Sequence, residues 1–124
     1  MKLLLVEDNS GVRHVIRSLV ESVADEIQEC ADGAEAVALY SAKRPDVVVM
    51  DIEMKTMDGI TASRHIMAAD PSARVIIVTD YDQPDLREAA YQAGACGYIV
   101  KDNLLELVDR LKEEARLRSK SQEK

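Results

Sequence analysis

Five short strand-like segments alternate along the chain with stretches in which apolar residues recur every three or four positions. The strand-like segments are residues 2–6, 26–31, 47–50, 75–78 and 98–100. A continuous apolar run of this length is typical of a strand buried on both faces, and the longer period is typical of an amphipathic helix. The sequence therefore predicts five strands, each followed by a helix.

Turn and cap residues delimit the predicted helices. The helices are expected to begin near Ser10, to cover 34–42 and 60–69, to run from Pro84 to Ala93, and to follow a cap at Asp102 or Asn103. Pro is favoured in the first turn of a helix, and Gly94 is a typical stop after the fourth. Residues 112–124 are charged and poor in apolar side chains, so they are either the end of the fifth helix or a solvated linker.

The order of the strands follows from their burial. Strand–helix repeats predict a parallel sheet with helices on both faces. The first, third and fourth strands are apolar throughout and should be interior, whereas the second is interrupted by polar residues and the fifth is short. Right-handed crossovers then give the order 2-1-3-4-5, a flavodoxin-like (βα)5 three-layer α/β sandwich. With 124 residues, the chain is expected to form one domain.

Charge and cysteine content narrow the classes of partner. The formal net charge of −7 argues against direct nucleic-acid binding by this segment. The apolar amino terminus meets Glu7 too early for a signal peptide or a membrane span, so no membrane partner and a cytoplasmic location are expected. Cys30 and Cys96 lack the spacing of a metal or redox motif and are expected to be free thiols on opposite edges of the sheet.

Chemically capable residues follow four of the five strands. They are Glu7 and Asp8 after the first strand, Asp51 after the third, Thr79 after the fourth and Lys101 after the fifth. Parallel strands end at one edge of the sheet, and the winding reverses between strands one and three, so Asp8 and Asp51 should lie within a few ångströms of each other. Each residue alone has an ordinary structural role, such as a helix cap, but those roles do not predict their joint occurrence.

Three carboxylates in one crevice predict a cation. Like charges at close range repel, and a hard divalent cation such as Mg²⁺ (or Mn²⁺) is the usual remedy. A cation beside a carboxylate, a hydroxyl and an ammonium group is an arrangement that binds phosphoryl groups, and a carboxylate can itself be the nucleophile that forms an acyl phosphate.

These residues and their spacing resemble a response-regulator receiver domain of two-component signalling. The resemblance covers residues 1–117 and rests on Glu7-Asp8, Asp51 with Met57-Asp58-Gly59, Thr79, and Gly97-Tyr98-Ile99-Val100-Lys101. Residues 118–124 are then a charged tail or the start of a linker to an output domain. The ending of the fifth strand is similar to that of receivers that precede LuxR-type helix-turn-helix domains, which implies transcription regulation.

The resemblance implies a role for each acidic residue. Asp51 would accept a phosphoryl group from a sensor histidine kinase. Glu7, Asp8, Asp51 and the main-chain carbonyl of Glu53 would hold Mg²⁺ (or Mn²⁺), with Glu7 acting through water.

It also implies a switch. Thr79 would move to bind the phosphoryl group, Tyr98 would swing inward behind it, and Lys101 would contact the phosphoryl oxygens. The output surface would be the fourth helix, fifth strand and fifth helix, with a homodimer through the fourth or fifth helix face as one use of it.

Four positions depart from the family pattern. Lys55 and Asp102 stand where proline is usual, and Asp80 stands where a small residue is usual. Asp80 is expected to slow phosphorylation or hydrolysis of the acyl phosphate, and Asp102 to bring either a trans bond or local strain. Glu53 is placed where a side chain could steer the hydrolytic water.

Three other functions compete with this one. An aspartyl-nucleophile phosphatase-like enzyme would need an acid/base residue two positions after Asp51, where Glu53 stands, but the chain has no insertion that could form a cap over a substrate. A flavin-binding module is disfavoured because Glu7 and Asp8 would repel its phosphate. A pseudo-receiver that acts without phosphorylation stays open because of Asp80.

Four other residues are expected to have no chemical role. His14 and His65 are expected on the surface, and Met54 and Met57 are expected to pack against neighbouring side chains.

Overall fold

The structure is a computed structural model that describes residues 1–122. The strands are β1 (Lys2–Val6), β2 (Glu26–Cys30), β3 (Val47–Met50), β4 (Val75–Thr79) and β5 (Gly97–Val100). The helices are α1 (Ser10–Val20), α2 (Gly33–Lys43), α3 (Gly59–Ala69), α4 (Pro84–Gln92) and α5 (Leu104–Gln122), the last preceded by a 3-10 turn at Lys101–Asn103. Strands and helices therefore alternate as predicted.

All five strands are parallel, in the order β2-β1-β3-β4-β5, which confirms the predicted flavodoxin-like topology. Val6 of β1 pairs with Met50 of β3. The residues that follow, Glu7 and Asp51, consequently leave the sheet side by side. The position of the site is thus set by the register of two buried strands.

Apolar side chains fill the space on each side of the sheet. Successive residues of a strand point to opposite sides. Leu4, Val48 and Ile77 face one layer of the core, and Leu5 and Val49 face the other. Every residue of β3 and β4 is buried, while β2 is only partly so. Burying one such aliphatic side chain stabilises the fold by about 1.5–3 kcal/mol, which explains why the wholly apolar strands are central.

Side chains of loop residues cap the first three helices. Asn9, Asp32 and Asp58 each accept a hydrogen bond from a backbone N–H in the first turn of α1, α2 and α3, respectively. Such a cap stabilises a helix by about 1 kcal/mol. Helix α4 begins with Pro84 and has no side-chain cap.

The carboxyl-terminal helix continues to Gln122 without interruption. Glu114, only 6% exposed, pairs with Arg74 through two hydrogen bonds of 2.7 and 3.0 Å. Farther along, Arg118 lies 2.6 Å from Asp46, the residue before β3. Of the two readings of residues 112–124, the helical one holds as far as Gln122; residues 123–124 lie outside the described part of the chain.

The remaining expectations about the chain concern single residues. Cys30 and Cys96 are free, on β2 and immediately before β5. No peptide bond in the described part of the chain is cis, so the bond before Asp102 is trans. None of the helices within residues 1–122 is long and apolar enough to cross a membrane.

Candidate functional site

A crevice of about 390 Å³ opens at the carboxyl edge of the sheet, between the ends of β1 and β3. It brings together seven of the residues predicted for the site: Glu7, Asp8, Asp51, Glu53, Lys55, Asp80 and Lys101. Thr79 and Tyr98 do not line it. The topology thus gathers the charged residues, while the two proposed switch residues lie behind them.

Three carboxylates converge in this crevice. Glu7, Asp8 and Asp51 each offer an oxygen, and these oxygens all lie within 4.8 Å of one another. Glu7 and Asp51 are buried and Asp8 is exposed. Carboxylate oxygens at this spacing are the ligands that a hard cation such as Mg²⁺ prefers.

Lys101 provides one positive charge against the three carboxylates. Its Nζ lies 2.7 Å from Glu7 Oε1 and 3.4 Å from Asp51 Oδ2. Burial by itself would lower the pKa of Lys101, but Glu7 and Asp51 outweigh it and raise the pKa above its ordinary value. The ammonium group is therefore held charged between the two buried carboxylates.

The pKa of Asp51 is strongly raised in the crevice. Burial, and next the charge of Glu7, raise the pKa of Asp51 to about 7, against the opposing effect of Lys101. The Ile52 N–H donates to Asp51 Oδ1 at 2.8 Å, which leaves the second oxygen facing Lys101. The positive charge of Lys101 therefore does not offset burial and the charge of Glu7 at this carboxyl group.

Both carboxylate oxygens of Glu7 have partners. Oε1 pairs with the Lys101 ammonium at 2.7 Å, and Oε2 accepts from the Asn9 N–H at 3.1 Å. Lys101 is thus shared by Glu7 and Asp51, and Asp8 adds a third carboxylate within 4.8 Å. The donor set and its spacing fit a small divalent cation.

The loop after Asp51 is closed by Gly59. The Gly59 N–H donates to Ile52 O at 2.8 Å. A Cβ at this position would lie 1.9 Å from the Asp51 carbonyl oxygen, too close for any side chain. The absence of a side chain at residue 59 thus lets α3 start directly against Asp51.

Thr79 and Tyr98 are buried and both bind the backbone of Tyr81. The Tyr81 N–H donates to Thr79 Oγ1 at 3.3 Å, and the Tyr98 hydroxyl donates to Tyr81 O at 2.6 Å. Arg87 covers the Tyr98 ring, with its Cζ 4.5 Å from the ring centroid. The Tyr98 ring is therefore directed inward in this structure.

Sequence reasoning missed Tyr81. Its side chain lines the crevice and is 37% exposed. The hydroxyl lies beside Glu53, and hydrogen bonding to that carboxylate, followed by its charge, raises the pKa of Tyr81. No periodicity marks this residue in the sequence; its place two positions after Thr79, in the loop that follows β4, is the only available signal.

The residues given minor roles lie where they were expected. Met54 and Met57 pack against the core, and Met54 also lines the crevice. His14 and His65 are exposed on α1 and α3. Because none of these four side chains supplies a ligand or a charge to the crevice, the carboxylates and Lys101 are the chemically distinctive part of the site.

Known proteins share both the fold and the sequence. The chemotaxis protein CheY of Listeria monocytogenes is 38% identical over 115 residues, which cover 89% of this chain and 97% of that protein. A LuxR-family response regulator from Aurantimonas sp. SI85-9A1 has a TM-score of 0.86 at 36% identity, covering 93% of this chain and 84% of that one. A chain from the CheX–CheY–BeF3–Mg²⁺ complex of Borrelia burgdorferi has a TM-score of 0.82 at 31% identity, covering 91% and 87%.

The fold and the acidic crevice together define a receiver-type signalling domain. The family model of the response regulator receiver domain matches residues 3–112, and the chain belongs to that family.

Proposed function

We propose that this protein is a phosphorylation-switched receiver in which Asp51 accepts a phosphoryl group from the phosphohistidine of a sensor histidine kinase. The observation that supports this most directly is the crevice, in which Lys101 bridges Glu7 and Asp51 and the oxygens of Glu7, Asp8 and Asp51 lie within 4.8 Å of one another. In this proposal the domain is a signalling module rather than an enzyme, and the only reactions that it catalyses are its own phosphorylation and dephosphorylation.

The transfer is a displacement at phosphorus. An Asp51 carboxylate oxygen forms the new P–O bond while the P–N bond of the phosphohistidine breaks, and the imidazole leaves with the electron pair. Hydrolysis reverses the switch when water attacks the phosphorus, the bond to Asp51 breaks, and inorganic phosphate leaves. Lys101, already 3.4 Å from Asp51 Oδ2, would contact the phosphoryl oxygens in both steps.

The carboxylates of Glu7, Asp8 and Asp51, together with the main-chain carbonyl of Glu53, would hold Mg²⁺ or Mn²⁺, with Glu7 acting through water. When bound, the cation supplies charge that stabilises the phosphoryl oxygens in the transition state. The Borrelia burgdorferi complex named above contains Mg²⁺, which supports the choice of metal by analogy.

The switch would pass through Tyr81. Movement of the Thr79 hydroxyl toward a phosphoryl group would break its contact with the Tyr81 N–H, and the Tyr81 carbonyl is the group that holds Tyr98. A change at Asp51 would thereby reach α4, β5 and α5, which form the proposed output surface. The proposed outputs are homodimerisation through the α4 or α5 face and transcription regulation by a domain beyond residues 118–124. The similarity to a LuxR-family response regulator supports the second of these. Pairing with the kinase's cytoplasmic part would place this protein in the cytoplasm.

One experiment tests the proposal directly. The protein is incubated with Mg²⁺ and acetyl phosphate, and the intact mass of wild type and Asp51→Asn is measured. Wild type should gain one phosphoryl group only when Mg²⁺ is present, and the variant should gain none. No wild-type adduct would favour the pseudo-receiver, an equal adduct in the variant would exclude Asp51 as acceptor, and sustained turnover of an aryl phosphate would favour the phosphatase-like enzyme.

A further inference from the structure

Arg13, in the first turn of α1, binds the peptide group that joins two of the crevice carboxylates. Its Nη1 donates to Glu7 O at 2.7 Å. This oxygen belongs to the peptide between Glu7 and Asp8, so rotation of that peptide would change the direction in which Asp8 leaves the main chain. The Arg13 side chain is 23% exposed and does not line the crevice itself.

The guanidinium of Arg13 is itself held in place. Its Nε donates to Glu29 Oε1 on β2 at 3.1 Å, and the other Glu29 oxygen accepts from Arg17 Nη1 at 2.5 Å. A planar guanidinium that is fixed through two different nitrogens has a defined orientation. Arg13 therefore connects the edge strand β2 rigidly to the loop after β1.

The other contacts of this loop do not hold the Glu7 carbonyl. The Glu7 N–H donates to Cys30 O at 3.1 Å, and the Asn9 N–H donates to Glu7 Oε2 at 3.1 Å. The first holds the backbone before the Glu7–Asp8 peptide and the second holds the Glu7 side chain. Within the described residues, Arg13 is the side chain that holds the carbonyl of this peptide.

We propose that Arg13 is a positioning residue that fixes the Glu7–Asp8 peptide so that both carboxylates converge with Asp51 on a divalent cation. The inference rests on the proposed function, since it concerns the cation that the crevice would hold. Residues that orient metal ligands through hydrogen bonds affect metal affinity strongly even though they do not touch the metal.

The sign of the effect separates positioning from simple electrostatics. The positive charge of Arg13 repels a cation in the crevice, so removing that charge alone would tighten cation binding. Loss of a fixed peptide orientation would weaken it. The two explanations thus predict opposite changes in the dissociation constant for Mg²⁺.

The test is isothermal titration of the full chain with Mg²⁺ for wild type, Arg13→Gln, Arg13→Lys and Arg17→Gln. Arg17→Gln is the matched control, because it removes the same charge and a contact with the same Glu29 but leaves Glu7 untouched. We expect Arg13→Gln to raise the dissociation constant roughly tenfold, Arg13→Lys to raise it less, and Arg17→Gln to change it less than twofold. Thermal unfolding of each variant in the absence of Mg²⁺ measures folding separately.

A second readout needs no metal. The Asn9 amide, bonded to Glu7 Oε2, should exchange its hydrogen faster in Arg13→Gln than in Arg17→Gln when both proteins are folded. Unchanged or tighter Mg²⁺ binding by folded Arg13→Gln would overturn the inference, and if that variant does not fold, unchanged binding by Arg13→Lys would do so. Absence of Mg²⁺ binding by wild type would overturn the metal site of the proposed function and this inference with it, whereas binding by wild type with equal affinities in all variants would overturn the inference alone.

Discussion

Gly59 is a residue whose missing side chain shapes the site. Because a Cβ there would lie 1.9 Å from the Asp51 carbonyl oxygen, Gly59→Ala would force the backbone of α3 or of the loop after Asp51 to move. We expect a loss of about 1–3 kcal/mol in the free energy of unfolding, measured in urea, together with slower phosphorylation of Asp51.

Gly11 provides the control for this substitution. In α1, a Cβ at residue 11 would meet only the Asn9 side chain, at 3.3 Å. Gly11→Ala gains helix propensity and should therefore stay within about 1 kcal/mol of wild type. Equal stability of Gly59→Ala and Gly11→Ala would contradict this explanation of Gly59.

Asp80 adds an exposed carboxylate to the rim of the crevice. Its negative charge should repel an anionic phosphodonor. It should also repel a water molecule that gains negative charge as it attacks the acyl phosphate. We therefore expect Asp80→Ala to change the rate of phosphorylation by acetyl phosphate or the rate of dephosphorylation, and to make that rate less dependent on salt.

Asp85→Ala is the matched control for Asp80, because Asp85 is also exposed and lies in the first turn of α4 but does not line the crevice. Both rates should stay at the wild-type level in this variant. If both rates are likewise unaltered in Asp80→Ala, Asp80 has no modulating role.

At the scale of elements, α4 is attached to β5 through Arg87. The helix has no side-chain cap, and the Arg87 guanidinium both covers the Tyr98 ring and pairs with Asp82 at 3.1 Å. We expect Arg87→Ala to lower stability by about 0.5–1 kcal/mol and to accelerate amide hydrogen exchange in α4.

Asp82→Asn separates the two contacts of Arg87. It removes the ion pair, which is exposed and worth little, but leaves the guanidinium free to cover the ring. Its exchange rates in α4 should therefore resemble those of wild type. A larger effect of Asp82→Asn than of Arg87→Ala would show that the ring contact does not hold α4.

The sequence predicted the helices and strands that bury apolar side chains. It missed details that depend on ion pairs and main-chain contacts. Wholly apolar strands and Asn, Asp or Pro at helix starts carry local signals, so the order of the sheet follows from them. The course of the chain after residue 112 stayed undecided, because Glu114 and Arg118 fasten α5 through ion pairs that hydrophobic periodicity does not register. The second helix was likewise predicted to begin at residue 34, whereas α2 begins at Gly33, whose N–H donates to the carbonyl of the distant Met57.

The same distinction applies to the site. Glu7, Asp8, Asp51 and Lys101 could be placed in one crevice because each directly follows a strand. Arg13 and Tyr81 could not be recognised, because they act through main-chain groups: Arg13 binds a carbonyl, and the Tyr81 backbone binds the two proposed switch residues. Main-chain contacts of this kind leave no characteristic spacing in a sequence.

Across the whole molecule, the two edges of the sheet carry charge differently. The carboxyl edge holds the carboxylates around Lys101, whereas the amino edge contains balanced pairs. Three ion pairs surround a cleft of about 550 Å³ there. They are Arg44–Asp70 at 3.0 Å, Arg74–Glu114 at 2.7 Å and Arg118–Asp46 at 2.6 Å. The fold is thus fastened at one edge and left electrostatically unbalanced at the edge where the ligand is proposed to bind.

Asp70 makes the stability of this amino edge depend on pH. Hydrogen bonds from Ser72, then from Tyr40, lower the pKa of Asp70 from its ordinary 3.8 to about 2. The folded protein therefore binds a proton at Asp70 more weakly than the unfolded chain does. The stabilisation from this carboxylate is complete above pH 3.8 and is lost as the pH falls toward 2.

Urea denaturation of wild type, Asp70→Asn and Ser72→Ala at a series of pH values measures this contribution. Asp70→Asn should be less stable than wild type at neutral pH, and the difference should shrink as the pH falls from 3.8 to about 2. Ser72→Ala removes the largest cause of the shift but leaves the Tyr40 bond, so it should give the same dependence with smaller amplitude. A stability difference between wild type and Asp70→Asn that does not vary over this range would mean that Asp70 titrates alike in the folded and unfolded chains, and the Tyr40–Asp70–Ser72 contacts would then contribute nothing to acid resistance.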